Sequence, residues 1–164
     1  MDIAAGILRA NILIVDDQDS NVALLRYMLE DAGYCKVSST TDPREVVELH
    51  RTNRYDAILL DLNMPYLSGF EVMDELKIIE ADGYIPVLVL TAQPNLKLQA
   101  LQAGAKDFIS KPFDQIEVLT RIQNMLEIRL LHKGLRRNNE TLELQVEQKN
   151  LWLANSRREN RIPK

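Results

Sequence analysis

Five short apolar runs separated by helical patterns constrain the fold of this chain more than any other feature. The runs at residues 12–15, 57–60 and 86–90 are almost wholly apolar, as expected for strands that helices cover on both faces. The runs at 36–40 and 107–110 are weaker. Because strands that alternate with helices form βαβ units, the sequence predicts an α/β fold with a doubly wound, five-stranded parallel sheet.

The region after residue 113 has a different pattern. It contains no strand signal and no proline before Pro163, so we predict one long helix from 114 to about 158, softened at Gly134. The first apolar stripe of this helix is predicted to pack on the sheet. That stripe consists of Ile116, Leu119, Ile122 and Leu126.

Charge divides the chain at nearly the same place. Residues 1–126 carry 11 basic and 19 acidic side chains, a net of −8, whereas residues 127–164 carry nine basic and five acidic ones, a net of +4. We therefore predict a globular domain over 1–126 and a helical extension over 127–164.

Composition excludes several functional classes. The single cysteine, Cys35, excludes an internal disulfide framework and a cysteine-based metal cluster, and we expect it to be buried or half-buried. No apolar run approaches the roughly 18 to 20 residues that a spanning helix needs. The N-terminus lacks the pattern of a secretory signal and is expected to run straight into the first strand. We therefore expect a cytoplasmic protein with no membrane partner.

The extension carries a heptad pattern in which five of eight core positions are apolar. This pattern predicts a weak coiled coil and a homodimer through the C-terminal helix. The alternatives are a linker helix to an output domain outside this chain, and a solvated helix with a basic tip. Arg157, Arg158 and Arg161 are a small electrostatic footprint, so we expect no DNA binding. The a positions are Ile128, Leu135, Leu142 and Lys149, and the d positions are Leu131, Asn138, Gln145 and Trp152.

Polar side chains directly follow four of the predicted strands: Asp16 and Asp17 the first, Asp61 the third, Thr91 the fourth and Lys111 the fifth. The carboxyl ends of parallel strands meet at one edge of the sheet, where ligands bind. Clustered carboxylates repel one another unless a cation lies between them, and hard oxygen ligands suit Mg²⁺. Carboxylates, a hydroxyl, an ammonium and a metal are the groups that phosphoryl transfer requires. Taken alone, Asp16 and Asp17 also suit helix N-caps.

Four motifs occur in order: DD at 16–17, D-x-N-M-P-x-x-x-G at 61–69, TA at 91–92 and GAKDFISKPF at 104–113. With them the chain resembles the response regulator receiver domain of two-component signalling from residue 11 to about 126. The resemblance implies a flavodoxin-like strand order 2-1-3-4-5, a cis Lys111–Pro112 bond and a cognate histidine kinase or phosphotransfer protein as partner. It also implies that the protein catalyses only its own phosphorylation and dephosphorylation and is not an enzyme with an outside substrate.

The resemblance implies a role for each matching residue. Asp61 is the expected phosphoacceptor, and Lys111 is expected to pair with the phosphoryl oxygens. Asp17 and Asp61 are the expected direct ligands of Mg²⁺ together with the backbone carbonyl of Asn63, and Asp16 is expected to act partly through water.

Two further positions are expected to respond to phosphorylation. Thr91 is expected to move toward the phosphoryl group, and Phe108 lies where the family has an aromatic rotamer switch, although plain core packing also explains a phenylalanine. Asn63 and Gln93 lie two residues after Asp61 and Thr91, where family members tune the lifetime of the acyl phosphate. The alternative is that both amides simply face solvent.

The predicted function is therefore a phosphorylation-dependent response regulator that signals through dimerisation or an output partner. One alternative is a degenerate receiver that acts as a constitutive scaffold. The intact site residues argue against it: Asp17, Asp61, Thr91 and Lys111. A second is the N-terminal part of a multidomain regulator such as a cyclic-di-GMP phosphodiesterase. A third is a Mg²⁺-dependent phosphatase, but Asn63 stands where such enzymes usually need a second aspartate.

Overall fold

The five predicted strands form one parallel sheet in the computed structural model of the chain, which describes residues 3–159. The strand bounds are Asn11–Val15 (β1), Lys36–Thr40 (β2), Ala57–Asp61 (β3), Val87–Thr91 (β4) and Asp107–Ser110 (β5). The strands lie in the order β2-β1-β3-β4-β5. The predicted α/β class and strand order are thus confirmed.

Helices connect the strands on both faces of the sheet. The α-helices among the described residues are Ile3–Leu8 (α1), Asp19–Asp31 (α2), Val46–Asn53 (α3), Gly69–Ile79 (α4), Pro94–Gln102 (α5) and Gln115–Glu159 (α6). A short 3₁₀ helix, Pro43–Glu45, precedes α3.

The central strands send alternate side chains into two cores. Ile12 and Ile14 of β1 belong to the core that α1, α2 and α6 cover, whereas Leu13 and Val15 belong to the core under α3, α4 and α5. All four side chains are fully buried. Because helices cover both faces, the ends of the strands are left as the open part of the sheet.

Helix α1 corrects the expectation that the N-terminus runs straight into the first strand. Its residue Ile7 is buried in the core beneath α1, α2 and α6. A helix of six residues is too short for its apolar spacing to stand out in the sequence.

The predicted packing stripe of α6 is wrong at one position. Ile116 is 78% exposed, and Val118 is fully buried instead, together with Ile122 and Leu126. At about 100° per residue, Val118 lies roughly 40° from Ile122 around the helix axis, whereas Ile116 lies roughly 120° away. The helix continues through Gly134 without a break.

Cys35 also departs from expectation, because it is exposed. Its sulfur donates to the backbone carbonyl of Leu8 at 3.4 Å. The residue lies between α2 and β2, outside both cores.

The outer edge of the sheet at β2 is occupied by an arginine. The carbonyl of Thr40 accepts from the backbone N–H of Asp16, so by strand alternation Val37 and Ser39 point their backbone groups away from β1. Arg26 of α2 donates to the carbonyl of Val37 at 2.8 Å and to the Ser39 hydroxyl at 2.8 Å. One side chain therefore holds α2 against the edge strand.

Backbone contacts divide the chain into a unit up to Leu130 and a unit from Leu131 onward. In the second unit, Leu131, Leu135, Leu142 and Trp152 are all exposed. None of the helices within residues 3–159 is long and apolar enough to cross a membrane. Residues 160–164, which include Arg161 of the predicted basic tip, lie outside the described residues.

Candidate functional site

The sheet topology brings the predicted site residues to one edge. Asp61 and Thr91 are the last residues of β3 and β4, Asp16 and Asp17 directly follow β1, and Lys111 directly follows β5. The strand order reverses between β1 and β3, and such switch points open a crevice beyond the carboxyl ends of the strands.

The three aspartates form a cluster in which their ligand oxygens lie within 4.8 Å of one another. Asp16 is fully buried and Asp61 is 3% exposed, whereas Asp17 is exposed. Asp16 accepts from the backbone N–H of Gln18 at 2.9 Å and from the Asn21 amide at 3.1 Å. Gln18 is the N-cap of α2, so the alternative that an aspartate caps this helix is wrong.

Lys111 links two of these carboxylates. Its ammonium nitrogen lies 3.2 Å from Asp16 Oδ2 and 3.1 Å from Asp61 Oδ1. Burial alone would lower the pKa of Lys111, but the charges of Asp61 and Asp16 outweigh burial and raise that pKa above its usual value. The lysine is therefore a charged partner of the cluster, and its peptide bond to Pro112 is cis, as predicted.

The charge of Asp61 is only partly compensated. Burial raises the pKa of Asp61 to about 6; Lys111 opposes this rise and Asp16 adds to it. A carboxylate whose charged form is disfavoured gains from a further cation. Three carboxylates within 4.8 Å are a hard oxygen donor set, so the residues present fit a Mg²⁺ ion.

Thr91 is nearly fully buried and is bound to the next turn. Its hydroxyl accepts from the backbone N–H of Gln93 at 3.0 Å and donates to the carbonyl of Gln93 at 3.4 Å. Gln93 itself is exposed. The hydroxyl therefore has local partners in this structure, and any movement toward the cluster would exchange them.

The β3–α4 loop, residues 62–68, begins at the acceptor carboxylate. The backbone N–H of Asn63 donates to Asp61 Oδ1 at 3.3 Å. At the far end, Ser68 and Glu71 form a reciprocal capping box at the start of α4. Asn63 is exposed and lies two residues after Asp61.

Phe108 lies in β5, half-buried beside the core under α3, α4 and α5. The Lys97 ammonium is 4.5 Å from the ring centroid and the Arg121 guanidinium carbon is 4.8 Å from it. Arg121 is fixed in turn by Asp107, with two contacts of 2.9 Å. Two cations thus contact this ring, which the sequence alone did not indicate.

Sequence reasoning also missed a buried polar pair away from this edge. His50 Nδ1 accepts from the backbone N–H of Tyr55 at 3.2 Å, so Nε2 carries the proton and donates to Glu80 at 2.6 Å. This pair joins the ends of α3 and α4 near the amino end of β3. The partners are 30 positions apart in the sequence, so no local pattern predicts the pair.

Comparisons with known proteins agree with this geometry. A model of the family described as the response regulator receiver domain matches residues 12–123. The chain therefore belongs to the response regulator receiver domain family.

Two curated relatives show the extent of the similarity. The response regulator PleD of Caulobacter vibrioides is 35% identical over 131 residues, which cover 79% of this chain and 29% of PleD. The cyclic di-GMP phosphodiesterase response regulator RpfG of Xanthomonas campestris pv. campestris is 33% identical over 139 residues, which cover 83% of this chain and 37% of RpfG. The chain thus spans less than two fifths of either relative.

A solved structure gives the same picture. The receiver domain of sensor histidine kinase PA1611 from Pseudomonas aeruginosa PAO1 superposes with a TM-score of 0.65 at 32% identity, covering 72% of this chain and 98% of that chain. That receiver domain holds a magnesium ion coordinated in its active site cleft.

Proposed function

We propose that this protein is a phospho-accepting response regulator that receives a phosphoryl group on Asp61. The observation that carries the proposal is the position of Asp61, 3% exposed at the end of β3 and 3.1 Å from the Lys111 ammonium. Asp16 and Asp17 lie within 4.8 Å of it. Membership of the receiver family supports the same reaction.

Mg²⁺ is the proposed cofactor. Asp17, Asp61 and the backbone carbonyl of Asn63 would bind it directly, and Asp16 would act partly through water. A bound Mg²⁺ would neutralise charge on the oxygens of the transferring phosphoryl group. The ion in the cleft of the PA1611 receiver domain supports this assignment.

In the proposed transfer, a carboxylate oxygen of Asp61 attacks phosphorus of a phosphohistidine in a histidine kinase or phosphotransfer protein. The new O–P bond forms as the N–P bond breaks, and the electron pair of that bond returns to the imidazole nitrogen. Hydrolysis regenerates the carboxylate of Asp61. The oxygen of water forms a new bond to phosphorus, the O–P bond to Asp61 breaks with its electron pair returning to the carboxylate, and inorganic phosphate leaves while the protons of water pass to phosphate and solvent. Lys111 would pair with the phosphoryl oxygens, and the 3.1 Å distance from its ammonium to Asp61 supports this role.

We propose that the state of Asp61 is read by Thr91 and Phe108. Thr91 would exchange its hydrogen bonds with Gln93 for one to the phosphoryl group. Phe108 would change rotamer between the half-buried position described here and a more buried one. Asn63 and Gln93, both exposed and two residues after Asp61 and Thr91, would influence how long the acyl phosphate survives.

For the organisation of the chain we propose a receiver domain over 1–126 and a helical extension over 127–164 that passes the signal on. Exposed Leu131, Leu135 and Leu142 support homodimerisation through this extension, since burial would stabilise each large apolar side chain by roughly 1.5 to 3 kcal/mol. The alternative is an output module on a longer chain. RpfG, whose length this chain covers by 37%, is named a cyclic di-GMP phosphodiesterase response regulator.

Phosphorylation is tested by intact mass after incubation with acetyl phosphate and Mg²⁺. We expect wild type and the exposed-site control Asp74→Asn to gain one phosphoryl group, and Asp61→Asn or EDTA-treated wild type to gain none. Wild type that takes no phosphate would favour the scaffold alternative. A phosphoryl group on Asp61→Asn at the wild-type level would overturn the assignment of Asp61.

Dimerisation is tested by sedimentation equilibrium with and without beryllofluoride. We expect self-association of wild type, strengthened by beryllofluoride, and its loss in Leu135→Asp combined with Leu142→Asp. The control, Asn150→Asp, adds one charge at an exposed b position of the same heptad register, away from the seam, and should associate like wild type. A wild type that stays monomeric in both conditions would make the extension a linker.

A further inference from the structure

Tyr66 has an uncommon backbone conformation close to the acceptor carboxylate. Within residues 3–159, the non-glycine residues with positive φ are Arg54 at 51° and Tyr66 at 73°. Arg54 is the C-cap of α3, a position where left-handed residues commonly end helices. Tyr66 lies five residues after Asp61 in the β3–α4 loop, where no helix end accounts for it. A bulky residue in this region persists only when its surroundings hold it there.

Burial does not hold Tyr66, because its side chain is 78% exposed. Its ring instead lies against Arg44, whose guanidinium carbon is 4.2 Å from the ring centroid. Such a stack of a guanidinium on an aromatic face is attractive. Arg44 belongs to the 3₁₀ helix after β2, so the contact joins two connections at the carboxyl edge of the sheet.

Arg44 is itself held in place. Its Nε and Nη2 donate to the two carboxylate oxygens of Asp42 at 2.9 and 2.8 Å. The same carboxylate accepts from the backbone N–H of Arg44 at 3.0 Å and caps the 3₁₀ helix. The guanidinium thus presents a fixed face to Tyr66, since a two-point pair with a carboxylate defines its plane.

The two ends of the β3–α4 loop are also fixed. Gly69 leaves no room for a side chain, because an added Cβ would lie 2.6 Å from the carbonyl oxygen of Asp61. Its backbone N–H donates to the carbonyl of Leu62 at 3.0 Å. Between these ends, Met64 and Leu67 pack against the core under α3, α4 and α5, and Tyr66 contacts Arg44 of the 3₁₀ helix. The stack therefore adds a restraint, outside the core, to the segment that carries Asn63.

We propose that Arg44 and Tyr66 are positioning residues that hold the β3–α4 loop, and with it the Asn63 carbonyl, in the geometry for Mg²⁺ and phosphoryl transfer. This inference rests on the proposed function of Asp61. Neither side chain touches the reacting atoms. Arg44 acts through Tyr66, and Tyr66 acts through the backbone of the loop.

The experiment compares full-length Arg44→Ala, Tyr66→Gly, Tyr66→Phe and the double variant Arg44→Ala with Tyr66→Gly. Arg51→Ala is the charge control, because Arg51 is also exposed and also pairs with a nearby carboxylate, that of Glu48. The first measurement is the NMR order parameter of the backbone amides of residues 63, 64, 66 and 67 without Mg²⁺, because Pro65 has no N–H. The second is the Mg²⁺ concentration that half-saturates the amide shifts at Asp61.

We expect the loop amides of Arg44→Ala to fall from rigid order parameters to below about 0.6, while Arg51→Ala and Tyr66→Phe match wild type. We expect Arg44→Ala to raise the half-saturating Mg²⁺ concentration about threefold to tenfold. In the Tyr66→Gly background, Arg44→Ala should change neither quantity further, because the contact through which it acts is already gone.

Three results would overturn the proposal. Loop order parameters of Arg44→Ala equal to those of Arg51→Ala would show that the stack does not restrain the β3–α4 loop. Equal Mg²⁺ half-saturation in these two variants would remove the role in positioning. An undiminished effect of Arg44→Ala in the Tyr66→Gly background would show that Arg44 does not act through Tyr66. If wild type takes no phosphoryl group, the proposed function is overturned instead. The order parameters would still show whether the stack restrains the loop, because they do not depend on phosphorylation.

Discussion

The sheet and residues 131–159 of α6 both contain many leucines, but these side chains are buried in the sheet and exposed on the helix. Leu59 of β3 is 0% exposed, whereas Leu142 of α6 is 57% exposed. In the central strands β1, β3 and β4, the apolar residues are packed between helices and neighbouring strands. A helix on its own gains little stability from propensity. An apolar pattern therefore identifies a strand or a helix. Whether its apolar side chains are buried depends on the other elements that pack around it.

A matched pair of truncations should show this difference most strongly. Leu59→Ala should lower the free energy of unfolding by about 3 kcal/mol, because it leaves a cavity in the core. Leu142→Ala should change it by less than about 0.5 kcal/mol in a sample dilute enough to be monomeric. Urea unfolding followed by circular dichroism measures both. Similar losses in the two variants would contradict the contrast in burial.

The buried charge of Asp61 should lower the free energy of unfolding of the globular unit. The pKa of Asp61 rises to about 6 from 3.8, mainly through burial, so between these pH values the folded protein binds more protons than the unfolded chain. Stability from this group is therefore lost as the pH rises from about 4 to 6. Asp61→Asn should raise the free energy of unfolding at pH 7 by about 2 to 3 kcal/mol.

Urea unfolding at several pH values without Mg²⁺ checks this expectation. The gain in Asp61→Asn should shrink toward zero near pH 4, and the control Asp74→Asn should gain little at any pH. A gain that is the same at both ends of the pH range would mean that burial of the charge is not its cause.

The smallest effect is expected in α6. Gly134 lies inside the helix with nothing within 4 Å of an added Cβ, so Gly134→Ala should stabilise the helix by about 1 kcal/mol. Gly83 has equally open surroundings but a φ of +71°, and Gly83→Ala should instead destabilise the protein by about 1 kcal/mol. Thermal unfolding by circular dichroism should show opposite signs. Equal signs would mean that backbone conformation does not separate the two sites.

The fold and the clustering of the site residues could be predicted from the sequence, because both depend on the pattern of the strands. Buried parallel strands are continuous apolar runs, and residues that follow them meet at one edge whatever the details of packing. The structure accordingly brings Asp16, Asp17 and Asp61 within 4.8 Å and Lys111 into contact with two of them.

Features that depend on tertiary contacts could not be predicted in this way. The buried pair of His50 and Glu80 joins residues 30 apart. The stack of Arg44 on Tyr66 joins two separate connections, and Tyr66 has a left-handed backbone that is uncommon for a tyrosine. The phase of α6, which buries Val118 and exposes Ile116, depends on how the helix meets the sheet and not on spacing alone.

The position of Arg26 at the edge of β2 has a consequence for behaviour in concentrated solution. An exposed edge strand offers its free carbonyl and N–H groups to any other strand, and this is a common route to aggregation. Here Arg26 occupies the outward carbonyl of Val37 at 2.8 Å and binds the Ser39 hydroxyl at 2.8 Å. A second chain that adds a strand at β2 must displace this charged side chain, so Arg26 protects the edge from intermolecular β-pairing.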